Sequence, residues 1–162
     1  MTEKQERLLG RRLREAVELQ PEIEIFRRLL LDIGGIQLVA PPGPDPAVPI
    51  LIGAGFVMAG LVQCEIMKHI RCHENVARVW AQQRSGVIGI GTGYALSHDG
   101  LWRQHSWGLR REGILETTVR RTKYFGLLLQ GRDANSFAES NFDEAKCKAS
   151  QVVNAPTKPR RS

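Results

Sequence analysis

The chain has 162 residues, of which 42% are hydrophobic, and its formal net charge is +6 at pH 7. That length predicts one domain with its own core, and this composition excludes a chain that is disordered throughout. Three cysteines, an odd number, exclude a disulfide framework, and the charged N-terminus lacks the apolar stretch of a secretory signal. We therefore expect a cytoplasmic protein in a reducing compartment.

Residues 2–31 are predicted to be helical, with Pro21 in the first turn of a second helix. Gly34 and Gly35 are expected to end that second helix. The first 37 residues thus form an N-terminal helical arm, the first of three predicted segments. Its apolar face either packs on its own domain or joins two copies of the chain in a homodimer.

The uncharged stretch from Ala47 to Cys64 is interpreted as two buried strands, Ile50–Ile52 and Phe56–Cys64, that follow a proline-rich connector. Prolines and glycines interrupt it, so a membrane span is not expected. The string GAGFVMAG within it resembles a dinucleotide fingerprint. Its third glycine falls two places late, at Gly60, so nucleotide binding is not expected either.

A helix is predicted from His73 to Gln83, with Cys72 at its N-terminal end, followed by an antiparallel meander of strands. The dipeptide Asp99-Gly100 predicts a tight hairpin turn in that meander. The expected fold is α+β, with the Cys72 helix packed on the antiparallel sheet. Residues 38–131 form this core, and residues 132–162 form a short helix, capped by Asp133, and a tail.

The tail from Lys146 to Ser162 contains basic residues and no acidic ones, and we expect it to be disordered. Such a tail can touch acidic surfaces. The basic residues of the chain are not interleaved with exposed aromatic ones, so nucleic-acid binding is not expected as the main function.

Three residues have the chemistry of a cysteine nucleophile with its base and orienting acid. Cys72 lies at a helix start, where unpaired backbone N–H groups favour a thiolate. His105 and Glu116 lie on consecutive predicted strands, and their side chains are expected on the same face of the sheet. Hairpin pairing predicts that the Glu116 carboxylate reaches the His105 ring and fixes its tautomer.

From Cys72 to Gly126 the chain resembles the core of the transglutaminase-like and papain-like cysteine hydrolases, closest to the transglutaminase-like order. The shared motifs are a Cys at a helix start, a strand resembling H-A-W (here His105-Ser106-Trp107), and a strand resembling D-P-T (here Glu116-Thr117-Thr118). A set of uncharacterised bacterial proteins is similar in its Cys-x-x-Asn start, here Cys72 and Asn75, and its closing Y-F-G strand. The third member is Glu here, where the family has Asp.

The resemblance implies acyl transfer from a peptide, amide or ester substrate without a cofactor or metal. Cys72 attacks the carbonyl, His105 serves as base and then acid, and the Cys72 backbone N–H holds part of the oxyanion. A second oxyanion donor is needed. The candidates for the oxyanion site or the cleft are Gln63, His69, Asn75 and Trp107, with a core role for Trp107 as the alternative.

Two other interpretations stay open. A catalytically inactive binding or structural module could keep the same fold, because folds outlive their chemistry. A small zinc-binding protein is the other alternative, since nitrogen and sulfur ligands occur close together in Cys64, His69, Cys72 and His73.

Overall fold

The computed structural model describes residues 2–142, which form a mixed α and β fold. The helices are α1 (Glu3–Leu19), α2 (Glu22–Ile33), α3 (Ala47–Ala54), α4 (Cys72–Ala81) and α5 (Gly131–Asn141). The strands are β1 (Gln37–Leu38), β2 (Phe56–Met58), β3 (Leu61–Cys64), β4 (Gly89–Leu96), β5 (Leu101–Arg110), β6 (Gly113–Glu116) and β7 (Lys123–Leu129).

All seven strands belong to one sheet, in the order β2-β7-β4-β5-β6-β3, with β1 paired to the start of β5. The meander is antiparallel, whereas β3 pairs with β6, and β1 with β5, in parallel. Only Ala59 and Gly60 separate β2 from β3, although these strands are the two ends of the sheet order. The sheet is therefore curled, so that its two edges approach each other.

Helices cover one face of the curled sheet, and a compact apolar cluster fills the other. Trp102 and Tyr94 project towards α2 and α3, and Ile90 on the same face packs against α4 and α5. The opposite face carries His105 and Trp107 by strand alternation. Met58 and Tyr124 pack with Trp107 there. Met58 on β2 and Val62 on β3 come from the two edges of the sheet.

Helix α1 begins with a capping signal, and the apolar face of α2 packs into the core of the domain. Thr2 caps α1 through a capping box with Gln5. On α2, Phe26 is fully buried, and its ring meets that of Tyr94 edge-on with centroids 4.9 Å apart. The apolar face of α2 thus packs on its own sheet, which is one of the two expected arrangements, and Gly34 ends the helix as predicted.

The prediction of two buried strands between Ala47 and Cys64 was wrong in two respects. Residues 47–54 form α3, because Pro46 and Pro49 suit the N-cap and first turn of a helix and the run is long enough to make two turns. Residues 56–64 form two edge strands instead of one, and Phe56 and Leu61 are 47% and 60% exposed. A left-handed Gly60, with φ of 138°, makes the break between them.

The glycines of β4 provide room for Trp107, which lies across them. A Cβ on Gly91 would collide with Nε1 of Trp107, and one on Gly126 of β7 would come within 3.0 Å of its ring. The fully buried indole also stacks on His105, with ring centroids 6.1 Å apart. The glycine-rich strand is therefore a packing feature of the sheet.

Helices α4 and α5 begin one or a few residues before their predicted starts. Helix α4 begins at Cys72 itself, and α5 begins at Gly131 with Gln130 as its N-cap, so that Asp133 lies in the first turn and not at the cap. The predicted basic tail lies outside the described residues. Within residues 2–142, no helix combines the length and apolar character that crossing a membrane requires.

Candidate functional site

Cys72 is the first residue of α4 and its side chain is half-buried. Arg71 precedes it with non-helical dihedral angles and gives no side-chain cap, so the helix start leaves backbone N–H groups available. The N–H of His73 is one of two backbone groups that hydrogen-bond the Cys72 thiol. The helix start therefore favours the charged form of this thiol.

The second backbone donor to the thiol comes from an opening in the sheet. Strand β5 pairs with β1 at residues 101–102 and with β6 at residues 108–110, and between these ladders the described pairs leave one edge of β5 open. The N–H of Ser106, within this opening, hydrogen-bonds the Cys72 thiol. The sheet edge thus brings the helix start next to His105.

Glu116 is a fully buried carboxylate that accepts four hydrogen bonds, two on each oxygen. Its Oε2 lies 2.8 Å from Nε2 of His105 and 3.1 Å from the hydroxyl of Tyr124. Its Oε1 accepts from the backbone N–H and the hydroxyl of Thr118, both at 2.9 Å. The carboxylate is thereby held ionised in one orientation.

His105 connects the acid to the thiol. Because Glu116 accepts at Nε2, that nitrogen carries a proton, and Nδ1 is left for the hydrogen bond between His105 and Cys72. The imidazole is 2% exposed, so its two ring nitrogens are used within the protein. The order of contacts is thiol, imidazole, carboxylate.

The pKa values of the three groups move in the directions that an ion pair requires. Burial raises the pKa of the Cys72 thiol, but the hydrogen bond and charge of His105 with the two backbone donors lower it overall. Burial lowers the pKa of His105, and its contacts with Cys72 and Glu116 raise it overall. For Glu116, burial is outweighed by His105 and Thr118, so that its pKa is lowered.

A second hydrogen-bonded chain fastens the start of α4 to the sheet. Nδ1 of His73 lies 2.7 Å from the hydroxyl of Ser106, which donates to the Thr92 hydroxyl at 2.9 Å. Burial, and then the charge of His105, lowers the pKa of His73, so this imidazole is neutral at neutral pH. His73 therefore ties the helix to β5 beside the thiol without adding a competing charge.

Two of the predicted oxyanion or cleft residues have structural partners instead. Asn75 is buried, and its amide donates to the carbonyls of Lys68 and Thr117, so it holds the loop before α4 against the end of β6. Gln63 accepts a hydrogen bond from Arg110. Since its neighbour Cys64 is paired with Glu116, alternation directs Gln63 to the other face of the sheet. Both predictions are corrected on these grounds.

The other two candidates differ in exposure. Trp107 is fully buried in the apolar cluster with Met58 and Tyr124, so it belongs to the core and does not line an accessible cleft. His69 is exposed in the loop before α4. No hydrogen bond of the described residues directs the His69 ring towards Cys72, and its role as a second oxyanion donor stays a prediction.

The four candidate zinc ligands, Cys64, His69, Cys72 and His73, are close in sequence but do not converge on one point. Within residues 2–142, no three His, Cys, Asp or Glu side chains are grouped so as to hold a metal ion. Cys64 is exposed on an edge strand, whereas Cys72 hydrogen-bonds His105. The described residues therefore contain no cluster of ligands that would support the zinc-binding alternative.

Sequence reasoning missed three contributors to the site: Tyr124, Thr118 and the backbone of Ser106. Thr118 was findable, since it follows Glu116 by two residues and shares its face of the strand. Tyr124 was not, because β7 and β6 are separated by two strands in the sheet order and only the curl of the sheet brings its hydroxyl to Glu116.

Comparisons of the chain with protein family models, with curated proteins and with solved structures gave no match. The geometry of Cys72, His105 and Glu116 is therefore the observation from which a function can be argued.

Proposed function

We propose that this protein is a cysteine-dependent hydrolase or acyltransferase that acts on an amide or ester carbonyl. The observation that carries the proposal is the position of His105, which hydrogen-bonds the Cys72 thiol and a buried Glu116 carboxylate with every oxygen occupied. A structural histidine needs no ionised acid on one side and a thiol of lowered pKa on the other.

The proposed mechanism has a covalent thioester intermediate on Cys72. The Cys72 thiolate attacks the substrate carbonyl, a C–S bond forms, and the oxyanion meets the Cys72 backbone N–H at the start of α4. The His105 imidazolium gives its proton to the leaving amine or alcohol as the C–N or C–O bond breaks. Water, or an acceptor amine or hydroxyl, then gives a proton to His105 and attacks the thioester, and Cys72 leaves as the thiolate.

The order of elements supports a papain-like or transglutaminase-like core within this proposal. A helix that begins at the nucleophile packs on an antiparallel sheet, and the base and the acid lie on successive strands of that sheet. Glu in place of Asp is accommodated, since the longer side chain still reaches Nε2 of His105 at 2.8 Å.

The test is the pH dependence of Cys72 alkylation by iodoacetamide, in a chain in which Cys64 and Cys147 are replaced by Ser. We expect Cys72 to be alkylated at lower pH than an ordinary thiol, because burial raises the thiol pKa but His105 and the backbone donors lower it overall. In His105→Ala this reactivity at pH 6 should fall by at least about tenfold, which corresponds to one pKa unit.

Two controls make the result specific. The exposed Cys64, measured with Cys72 and Cys147 replaced by Ser, serves as the reference thiol. His98→Ala removes an exposed imidazole in the hairpin turn and should leave the Cys72 profile unchanged. If Cys72 reacts like Cys64 and is indifferent to His105, the enzymatic proposal is wrong and the chain is a binding module.

A further inference from the structure

The residue two positions before Cys72 has an unusual backbone conformation. Ile70 has φ of 57°, in the left-handed region, where a β-branched side chain is strained. The other described non-glycine residues with positive φ are Gln83 and Ser85, which are not β-branched. Ile70 is also 82% exposed, so burial of its side chain does not compensate for this strain. Strained residues of this kind concentrate at functional sites.

The loop that holds Ile70 is fixed by the same strand that carries Glu116. The backbone N–H groups of Glu65 and Met67 donate to the carbonyls of Glu116 and Thr117, each at 2.9 Å. The Asn75 amide, on α4, donates to the carbonyl of Lys68 at 2.8 Å. The surrounding hydrogen bonds therefore determine the loop conformation and keep Ile70 in its strained state.

Ile70 lies close to the nucleophile, and two further exposed apolar residues lie in the two segments that the hydrogen bonds of Glu65 and Met67 join. Its Cα is no more than about 7 Å from that of Cys72, because two residues of chain span no more. Ile66, in the same loop, is 64% exposed, and Val119, two residues beyond Thr117, is 45% exposed. We call these three residues, Ile66, Ile70 and Val119, the apolar rim.

The cations of the loop are directed to one carboxylate on α4. Nζ of Lys68 lies 2.8 Å, and Nη1 of Arg71 3.4 Å, from oxygens of Glu74. The hydrogen bond from Lys68, first among the causes, lowers the pKa of Glu74 although burial counts against it, so this carboxylate is ionised at neutral pH. The two cations nearest to Ile70 in the chain are thus already paired, which favours an apolar ligand over an acidic one at this loop.

We propose that the apolar rim is a subsite for the acyl side of the substrate, and that this acyl group is apolar. The inference rests on the proposed function, which places the reacting carbonyl at the Cys72 sulfur. An acyl chain or side chain attached to that carbonyl would lie against Ile70 and bury its exposed methyl groups. Burial of this apolar surface stabilises the bound substrate.

The test compares two maleimides that differ in the size of an apolar substituent, N-methylmaleimide and N-cyclohexylmaleimide. Both are reacted with Cys72 in the chain with Cys64 and Cys147 replaced by Ser. Relative to the same ratio at the reference thiol Cys64, we expect Cys72 to favour the cyclohexyl reagent by about tenfold, or about 1.4 kcal/mol. Ile70→Asn should remove most of this preference, because Asn accepts the left-handed conformation but is polar.

The matched control is Ile25→Asn, which changes an isoleucine of α2 that is 57% exposed and should leave the preference intact. An unchanged preference in Ile70→Asn, with fast N-methylmaleimide reaction, would overturn the rim alone. A slow N-methylmaleimide reaction like that of Cys64 would instead overturn the proposed function.

A second measurement tests the strain without any reaction. Ile70→Gly removes the penalty of a side chain in the left-handed region, and we expect the melting temperature to rise by about 2–4 °C. A fall in melting temperature would show that the Ile70 side chain serves stability, and would remove the reason to assign it to a ligand.

Discussion

At the scale of single residues, the site depends on one carboxylate with no free acceptor position. Glu116 is fully buried, and its donors are an imidazole, a phenol, a hydroxyl and a backbone N–H. A buried charge is tolerated when every acceptor position is used, and it then fixes the geometry of its partners. The Glu116 environment therefore orients the His105 ring and raises its pKa.

Glu116→Gln is expected to affect both stability and reactivity. The amide cannot accept all four hydrogen bonds, and we expect a loss of about 3 kcal/mol in the free energy of unfolding at pH 7. Without the carboxylate the pKa of His105 falls, so Cys72 alkylation at pH 6 should slow by about tenfold. Urea unfolding and alkylation rates measure the two effects, and Glu112→Gln, in the exposed turn before β6, should change neither.

The stability cost of Glu116→Gln should also depend on pH. The pKa of Glu116 is lowered in the folded protein, so the stability that its charge contributes is present above the ordinary glutamate pKa of about 4.3. This stability is lost as the pH falls through the folded pKa. We expect the difference between wild type and variant to be largest near neutrality and to shrink in acid. A difference that grows on acidification would contradict the ionised state of Glu116.

Tyr124 and Tyr94 form a matched pair for testing the role of the phenol. Each is buried and donates to a carboxylate, Tyr124 to Glu116 at 3.1 Å and Tyr94 to Asp45 at 3.0 Å. Each Tyr→Phe change should cost about 1.5–3 kcal/mol in urea unfolding, the usual value for a hydrogen bond to a charged group. Only Tyr124→Phe should alter the pH profile of Cys72 alkylation, since it leaves Glu116 a stronger base for His105. An equal effect from Tyr94→Phe would contradict this assignment.

At the scale of elements, the glycine-rich strand β4 and Trp107 of β5 are complementary in shape. Gly91 lies opposite Trp107 in the register, and the indole occupies the space where a Cβ would stand. The same indole stacks on His105, so this pair also positions the base. The absence of a side chain at Gly91 is thus a requirement of packing next to the site.

Gly91→Ala should therefore lower the free energy of unfolding by about 1–3 kcal/mol, the usual range for overpacking. Gly53→Ala is the matched control, because a Cβ added at Gly53, in α3, would meet nothing within 4 Å. There alanine should raise the free energy of unfolding by about 1 kcal/mol through helix propensity. Urea unfolding measures both, and a neutral Gly91→Ala would contradict the close contact with Trp107.

At the scale of the whole molecule, the N-terminal helices and the sheet share one core. Phe26 of α2 contacts Tyr94 of β4 and Phe125 of β7, on the face of the sheet opposite His105. The core therefore contains side chains from both sides of residue 37, where the sequence analysis divides the helical arm from the α+β core. A homodimer through the N-terminal helices stays a prediction.

Phe26→Ala tests whether this shared core unfolds as one unit. The ring is fully buried, so its removal should cost about 3–5 kcal/mol. Helical circular dichroism and tryptophan fluorescence should shift together in urea, because Trp102 lies in the same cluster. Leu19→Ala, at a position that is 67% exposed, should change little. Two separate transitions in the variant would show that the helices form an independent arm.

The sequence by itself determined the features that depend on local pattern. The helical spacing around Phe26, the turn at Asp99-Gly100 and the alternation of β5 and β6 were enough to predict α2, the hairpin and the contact between His105 and Glu116. These features join residues that are close along the chain, so period and turn chemistry suffice.

Only the tertiary structure decided the features that depend on the curl of the sheet. β2 and β3 lie at opposite ends of the strand order although only two residues separate them, and the curl of the sheet brings Tyr124 across two strands to Glu116. The opening along β5 that gives the Ser106 N–H to Cys72 arises where β1 and β6 pair with different ends of that strand. Such contacts join residues with no fixed spacing, and local pattern carries no information about them because long-range packing determines which edges meet.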